Sequence, residues 1–462
     1  MQEFEITFKE CLRKGLRDFG NNPRFLEALT ECYNLKPNPI GLVPFEPLAH
    51  WSVVQYTAWP YHQIFYGAFF KLHCHANVVD YYDLADNLLH SVIGIPGGWW
   101  SCVDYGTFII LGNGQCIIYT DMSLPIPVPV MVQNMPNVPR AVSMCDYKGQ
   151  LVLGGILSDW YNCDYRYVVW SKIGEVDNCL PDLTNEAGYR IINNIGEVLR
   201  VLRLGDYIII YGTTCSVAIH PHDATFGMRE FTAMGISNSR AVDGDEFQHV
   251  VVDRLGQLWR LKSDLTTTFL GYREWISQFN LETVIVSYDR IRREFYITDP
   301  HCGNQIGPCI DLPKCYVLND IGLFEVHQIP TSIANKGDVA YATYIDNGDY
   351  SWRITTDTLD FQQRTLKTLQ VIELGGQYDY GNVSARVHWA DGHIRNRNTF
   401  NIRNWVNLNP MGWTTPIITA QDFRVSLRGS SYEDSTLNID YLKFRYKYPD
   451  RRVQRGLSQT NI

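Results

Sequence analysis

The chain has 462 residues, of which 13% are aromatic and only 19% charged, and its formal charge is −9. That length buries a large core and more than one domain. The acidic balance excludes a surface that grips nucleic acid by its phosphates, but not one past which DNA slides, because like charge prevents sticking.

The N-terminus, MQEFEITFKE, is acidic and lacks the apolar stretch of a signal peptide. Phe8, Leu12, Leu16 and Phe19 share one helical face, which predicts a helix over residues 4–19. Asn22-Pro23 then caps a second short helix over 24–29. Pro37, Pro39, Pro44 and Pro47 rule out helix over residues 31–48. Residues 1–50 therefore read as a short helical and extended arm that lies on other elements.

From residue 51 to 357 strand text dominates, and one unit of turn, buried strand, turn and next strand recurs. Its clearest copy is LGDYIIIYG, residues 204–212. Copies start near Tyr61, Asp104, Asp146, Leu204, Asp245 and Ser287, and four of the five gaps are 41–43 residues. A period in the forties is that of a four-stranded blade, which cannot bury both faces without neighbours. The expected fold is all-β, a β-propeller of about six to seven blades, with a possible seventh copy near Asp338. Gly112-Asn113-Gly114 and Asn347-Gly348-Asp349 are hairpin marks.

Two stretches interrupt the repeat. Residues 122–140, MSLPIPVPVMVQNMPNVPR, read as a stiff extended strut that needs no sheet partners. Residues 160–183 read as an insertion and lengthen one gap to 58 residues. Each is a connector between blades, or a loop reaching a channel or a neighbouring subunit; their length favours the second reading.

After residue 357 the alternation of apolar and polar residues changes. Segments 359–373, 383–389, 423–429 and 438–446 predict a C-terminal antiparallel β-sandwich over 358–448. Residues 449–462 form a basic tail in which Arg451, Arg452 and Arg455 stand out as a surface for a docking partner.

Reactive chemistry is sparsely written. His73 and His75 flank Cys74, and His220 and His222 flank Pro221; each pair shares a strand face. Zinc needs three or four ligands, so these read as satisfied strand histidines, and no metal or cofactor is expected. His301, Cys302, Cys309 and Cys315 sit in a Gly- and Pro-bearing loop without zinc-ribbon spacing. The twelve cysteines contain no CxxC pair. They read as free thiols of a reducing compartment, and several (Cys102, Cys116, Cys215) as small hydrophobes inside strands. Asp104, Glu175, Asp177, Asp206, Asp253 and Asp289 are the acids a propeller glycosidase would need, yet most fall at blade turns, where Asp is a good turn residue. The doublet Arg292-Arg293 reads as a solvated turn or an interface. No Gly-x-Ser-x-Gly elbow, Walker loop or GxGxxG is present. No apolar run approaches the ~20 residues that span a bilayer. The expectation is a non-enzymatic protein made in the cytoplasm, without membrane insertion.

Residues 138–219 carry three matching stretches: GQLVLGG at 149–155, YVVWSKIGEVDN at 167–178 and IGEVLRVLRLGDYIIIYG at 195–212. This text resembles the propeller of tail hub, or nozzle, proteins of short-tailed bacteriophages, also called packaged-DNA stabilisation proteins. ECYNLKPNPIGLVPFEPL, residues 31–48, looks like that family's opening segment. The resemblance implies a homohexameric ring in the virion tail, below the portal and adaptor proteins. Such a ring extends the DNA channel, retains packaged double-stranded DNA without reading its sequence, and docks fibre, spike or needle proteins. Six copies would carry a formal charge of −54, six times that of one chain, under which a polyanion slides. Met122, Pro125, Pro127, Pro129, Met131, Pro136 and Pro139 of the strut are then the expected channel gate or inter-subunit loop, and the sandwich with the N-terminal arm the platform facing the adaptor. The alternatives are a propeller that binds or cleaves carbohydrate, and an adaptor for protein partners inside a cell.

Overall fold

The computed structural model describes residues 2–7, 16, 29–51, 62–67, 70–106, 108–121, 128–132, 137–222, 225–232, 234–300, 313–336, 339–346, 348–361, 365–377, 383–390, 400–429 and 437–449. Among them the one α-helix is the single turn Arg273–Ile276, and no helix is long and apolar enough to cross a membrane. The chain divides into two compact units. One comprises Leu48–Lys314 and Gln328–Ile345, the other Met1–Pro47, Cys315–His327 and Asp346–Ile462.

The first unit is a β-propeller. Five four-stranded antiparallel meanders run in chain order, over residues 63–93, 101–132, 141–191, 198–232 and 242–271; we number these blades 1 to 5. Blade 6 enters as the hairpin of Ile285–Asp289 with Glu294–Asp299. Blade 7 consists of Gln328–Lys336, Val339–Asp346 and the strand Ala49–His50, which pairs in parallel with Val339–Asp346. Parallel pairing needs a strand brought from elsewhere in the chain, because a tight hairpin makes only antiparallel neighbours. The N-terminal side of this unit thus completes its last blade.

The repeat is legible because a blade's second strand is covered on both faces by adjacent blades. Ile208, Ile209, Ile210 and Tyr211 are all fully buried, which gives a continuous apolar run where a one-sided strand would alternate. The starts at Asp104, Asp146 and Leu204 fall at the ends of first strands. What the sequence displays is therefore the hairpin into the second strand. Residues 149–155 and 167–178 belong to blade 3, and 198–212 to blade 4. There Gly154 lets the first strand of blade 4 come close: a Cβ on it would lie 2.5 Å from Val201 Cγ1.

Both interruptions turn out to be parts of blades. Within 160–183, Tyr167–Trp170 is the third strand of blade 3, paired with Gln150–Ile156 and Gly188–Ile191. Its long flanking loops escape the period because they bury their own apolar residues; Trp160, Val176 and Cys179 pack with Val138, Leu153 and Val169. Within 122–140, Val128–Val132 is the outer strand of blade 2, paired with Ile117–Asp121. The expectation of a strut without sheet partners is corrected for this segment. An outermost strand has one unpaired edge, so proline's missing N–H is tolerated there.

Blades 4 and 5 are joined by a buried histidine. His249 Nε2 lies 3.1 Å from the Arg203 carbonyl and Nδ1 2.8 Å from the Tyr211 hydroxyl. A carbonyl only accepts, so Nε2 carries the proton and Nδ1 accepts from Tyr211. Burial holds the imidazole neutral and pushes its pKa down to about 4. Unfolded, His249 titrates near 6.5, so the unfolded chain binds the extra proton first. Its contribution is complete above about pH 6.5 and is lost as pH falls to about 4, on the order of 3 kcal/mol in all. We expect His249→Gln to flatten the stability profile of the propeller between pH 6.5 and 4, measured by denaturant titration; a profile as steep as the wild type's would refute the assignment.

The second unit is a β-sandwich with a discontinuous sequence. In one sheet Asn438–Lys447 pairs with Lys367–Gln377 and Gln2–Thr7, and the hairpin of Leu35–Asn38 with Gly41–Pro44 joins it. In the other, Trp352–Thr356 lies between Leu29–Tyr33 and Asp422–Gly429, which pairs on with Val383–Ala390. The predicted C-terminal strands are present at 383–390, 422–429 and 438–447. The N-terminal stretch supplies strands to both sheets, where the sequence suggested an arm lying on other elements. The helix expected from residue 4 is a strand over Gln2–Thr7. Its Phe4 and Ile6 alternate with acids, and Glu3 pairs with Lys443 at 2.8 Å and Arg445 at 3.0 Å. Residues 8–15 and 17–28 lie outside the described residues.

Candidate functional site

The first strands of blades 1, 2, 4, 5, 6 and 7 contribute to a cavity of about 290 Å3, lined by Gln63, Cys102, Arg200, Asp243, Ser287 and Asn335 among others. Its charges are compensated within the propeller. Burial lowers the Arg200 pKa and raises that of Asp243, and each opposes the other's shift. Asp243 Oδ2 also accepts from the Tyr288 amide at 2.8 Å. Arg240, pushed down to about 10 by burial, donates to the Glu282 carbonyl at 3.1 Å.

A second polar centre occupies blade 1. His73 and His75 lie on Lys71–His75, Asp80 on Val78–Tyr82 and Ser91 on Leu88–Ile93. The turn Ala76-Asn77 sets His73 directly opposite Asp80. His75 Nε2 is 3.0 Å from Asp80 Oδ2, and Ser91 Oγ donates to Asp80 Oδ1 at 2.5 Å. His62 Nδ1 is 2.9 Å from His73 Nε2. The His73 and His75 rings stack with centroids 4.4 Å apart. Burial, then the neighbouring imidazoles of His75 and His62, push His73 down to about 3 and keep it neutral. The hydrogen bonds from His75 and Ser91 hold the Asp80 carboxyl below its usual range, against the opposing effect of burial.

The sequence named only the two local histidines. Asp80 was legible in principle, since a two-residue hairpin at 76–77 implies the pairing of 73 with 80. His62 was not, because nothing local links it to His73.

The other residues singled out from the sequence are scattered. Met122, Pro125, Pro127, Pro136, Arg451, Arg452 and Arg455 lie outside the described residues, as do His301, Cys302 and Cys309. Pro129 stands opposite Thr120 and Met131 opposite Ile118 in the outer strand of blade 2, and Pro139 is buried. Cys315 is buried, and the His220 ring packs edge-on to Tyr207. The acids do turn work. Asp104 accepts from the Gly106 amide, Asp253 from those of Leu255 and Gln257, and Asp289 from those of Ile291 and Arg292. Asp206 pairs with Lys148 and Glu175 with Lys172. Arg292 lies 3.6 Å from Asp289, and Arg293 takes a left-handed φ of 56° in the same turn.

In the sandwich unit, Ile402, Val406, Trp413, Met411 (79% exposed) and Ile417 (71% exposed) stand in solvent on and around the short strands of residues 401–420.

No family model and no curated protein matches the chain by sequence. Among solved structures it is similar to the Neurospora crassa Pan2 WD40 domain, with TM-score 0.38 and 7% identity over 65% of this chain and 86% of that one. It is likewise similar to apo AztD from Citrobacter koseri, with TM-score 0.37 and 12% identity over 64% and 82%. A third is Kluyveromyces lactis Hsv2p, with TM-score 0.35 and 9% identity over 68% and 98%. The chain has the β-propeller fold, by its own sheet topology.

Proposed function

We propose that this chain is a non-enzymatic structural component of a bacteriophage tail, a ring-forming hub or nozzle through which packaged DNA leaves. The observation that carries the reading is the exposure of large apolar side chains, Ile402, Met411, Trp413 and Ile417, within one short stretch of the sandwich unit. A surface of this kind is suited to permanent burial against a partner. The sequence resemblance to tail hubs over blades 3 and 4 supports the same reading, as does the pairing of a propeller with a sandwich. In this reading the duplex passes between copies of the chain, through the ring that they form. The strand Val128–Val132 ends its sheet among the described residues and is better placed for contact with a neighbouring subunit than for closing the propeller cavity.

The test is the assembly state. Purified chain imaged as single particles should form closed rings of identical copies, and Met411→Asp with Ile417→Asp should weaken the attachment of the ring to its neighbours in virions. Monomers that retain or cleave a polysaccharide would select the carbohydrate-binding reading instead.

A further inference from the structure

We propose that blade 1 carries a divalent-metal site, suited to zinc, with His73, His75 and Asp80 as ligands. The site is independent of the tail reading and stands or falls without it.

The ligand atoms of these three residues all lie within 4.8 Å of one another. Two imidazoles and one carboxylate are the donor types zinc takes, at about 2.0–2.2 Å from the ion. Tetrahedral ligands at that radius are roughly 3.3 Å apart, close to the 3.0 Å between His75 Nε2 and Asp80 Oδ2. A small separation of His75 and Asp80 brings that pair to the tetrahedral spacing. Two strands of one tight hairpin hold all three residues, so the set is rigid before metal arrives.

An outer shell is also present. Ser91 Oγ donates to Asp80 Oδ1, which leaves Oδ2 for a cation and orients the carboxylate. His62 Nδ1, 2.9 Å from His73 Nε2, is placed to orient that imidazole. The side chains of His75 and Asp80 are 19% and 14% exposed, which provides a way in from solvent.

The experiment uses the full-length, tag-free protein, stripped with chelator and titrated with zinc alone. We expect about one equivalent bound and a rise in the thermal midpoint with zinc concentration. Asp80→Asn and His75→Ala should each lose at least tenfold in affinity, and Ser91→Ala, which leaves every ligand in place, about tenfold. Binding equal in the wild type and in all three variants would put the zinc elsewhere, for example on the cysteines. Either that result or the lack of any binding by the wild type overturns the site. Should one ligand variant fail to fold by circular dichroism, Ser91→Ala decides.

Discussion

Replacing Trp51 with alanine should destabilise the propeller by about 3–5 kcal/mol, the range for removing a large aromatic from a packed core. Trp51 comes directly after Ala49–His50, the strand that completes blade 7, and its amide continues that strand's bonding by donating to the Ala342 carbonyl at 3.3 Å. The indole is buried with Ile64 and Tyr82 of blade 1 and Ala334 of blade 7. Tyr82 meets it edge-on at 5.1 Å, and Nε1 donates to Asp86 at 2.6 Å. Asp86 in turn binds Lys71, whose ammonium sits 5.7 Å from the indole centroid. One side chain therefore joins the first and last blades of the ring. Without it the seam between blades 1 and 7 should open before the rest. Denaturant unfolding reads the loss, and limited proteolysis near residue 51 reads where it starts. A loss below about 1 kcal/mol would show that the closure does not depend on this residue.

An effect of similar size is expected from Phe361→Ala in the sandwich. Phe361 lies between the two sheets. Its ring is 5.7 Å from Phe423 of one and 5.6 Å from Phe444 of the other, stacks on Tyr446 at 4.7 Å, and meets Phe4 edge-on at 5.3 Å. The position is strained, with a φ of 48°, a region that costs a bulky residue on the order of 1 kcal/mol or more. The packing more than offsets that cost. Alanine keeps the strain and loses the packing, so the expected loss is again about 3–5 kcal/mol. Leucine should lose less, because it refills part of the space. If Phe361→Ala unfolds in denaturant with the wild-type midpoint, the two sheets are held together by something other than this cluster.

The two substitutions separate the two units. Each should lower the transition of its own unit, so a probe confined to the propeller and one confined to the sandwich report different midpoints. A single shared transition in both variants would mean that the units unfold as one.

How much was readable from the residues differs between the sites. The histidines at 73 and 75 were visible, but ligand count decides a metal site, and Asp80 joins them only through cross-strand register. Turn acids such as Asp253 and Asp289 were readable as turn acids because an Asx turn is local: the carboxylate bonds amides two to four residues on. The strand at Gln2–Thr7 was missed because a helical period fitted to residues 8–19 was carried back over it. Tertiary pairing with Asn438–Lys447, more than 400 residues away, overrides that local preference.

By itself the sequence determined the all-β class, the recurrence of strands with the period of a blade, and a second β unit after them. Those features are written in short windows, since burial on both faces or on one leaves its own pattern of apolar residues. Only the tertiary structure decided that Ala49–His50 completes blade 7, that residues 29–44 and 315–326 belong to the sandwich, and that 128–132 is an edge strand. Strand pairing between distant segments is chosen by which free edge is available in the folded chain, and no local window records that choice.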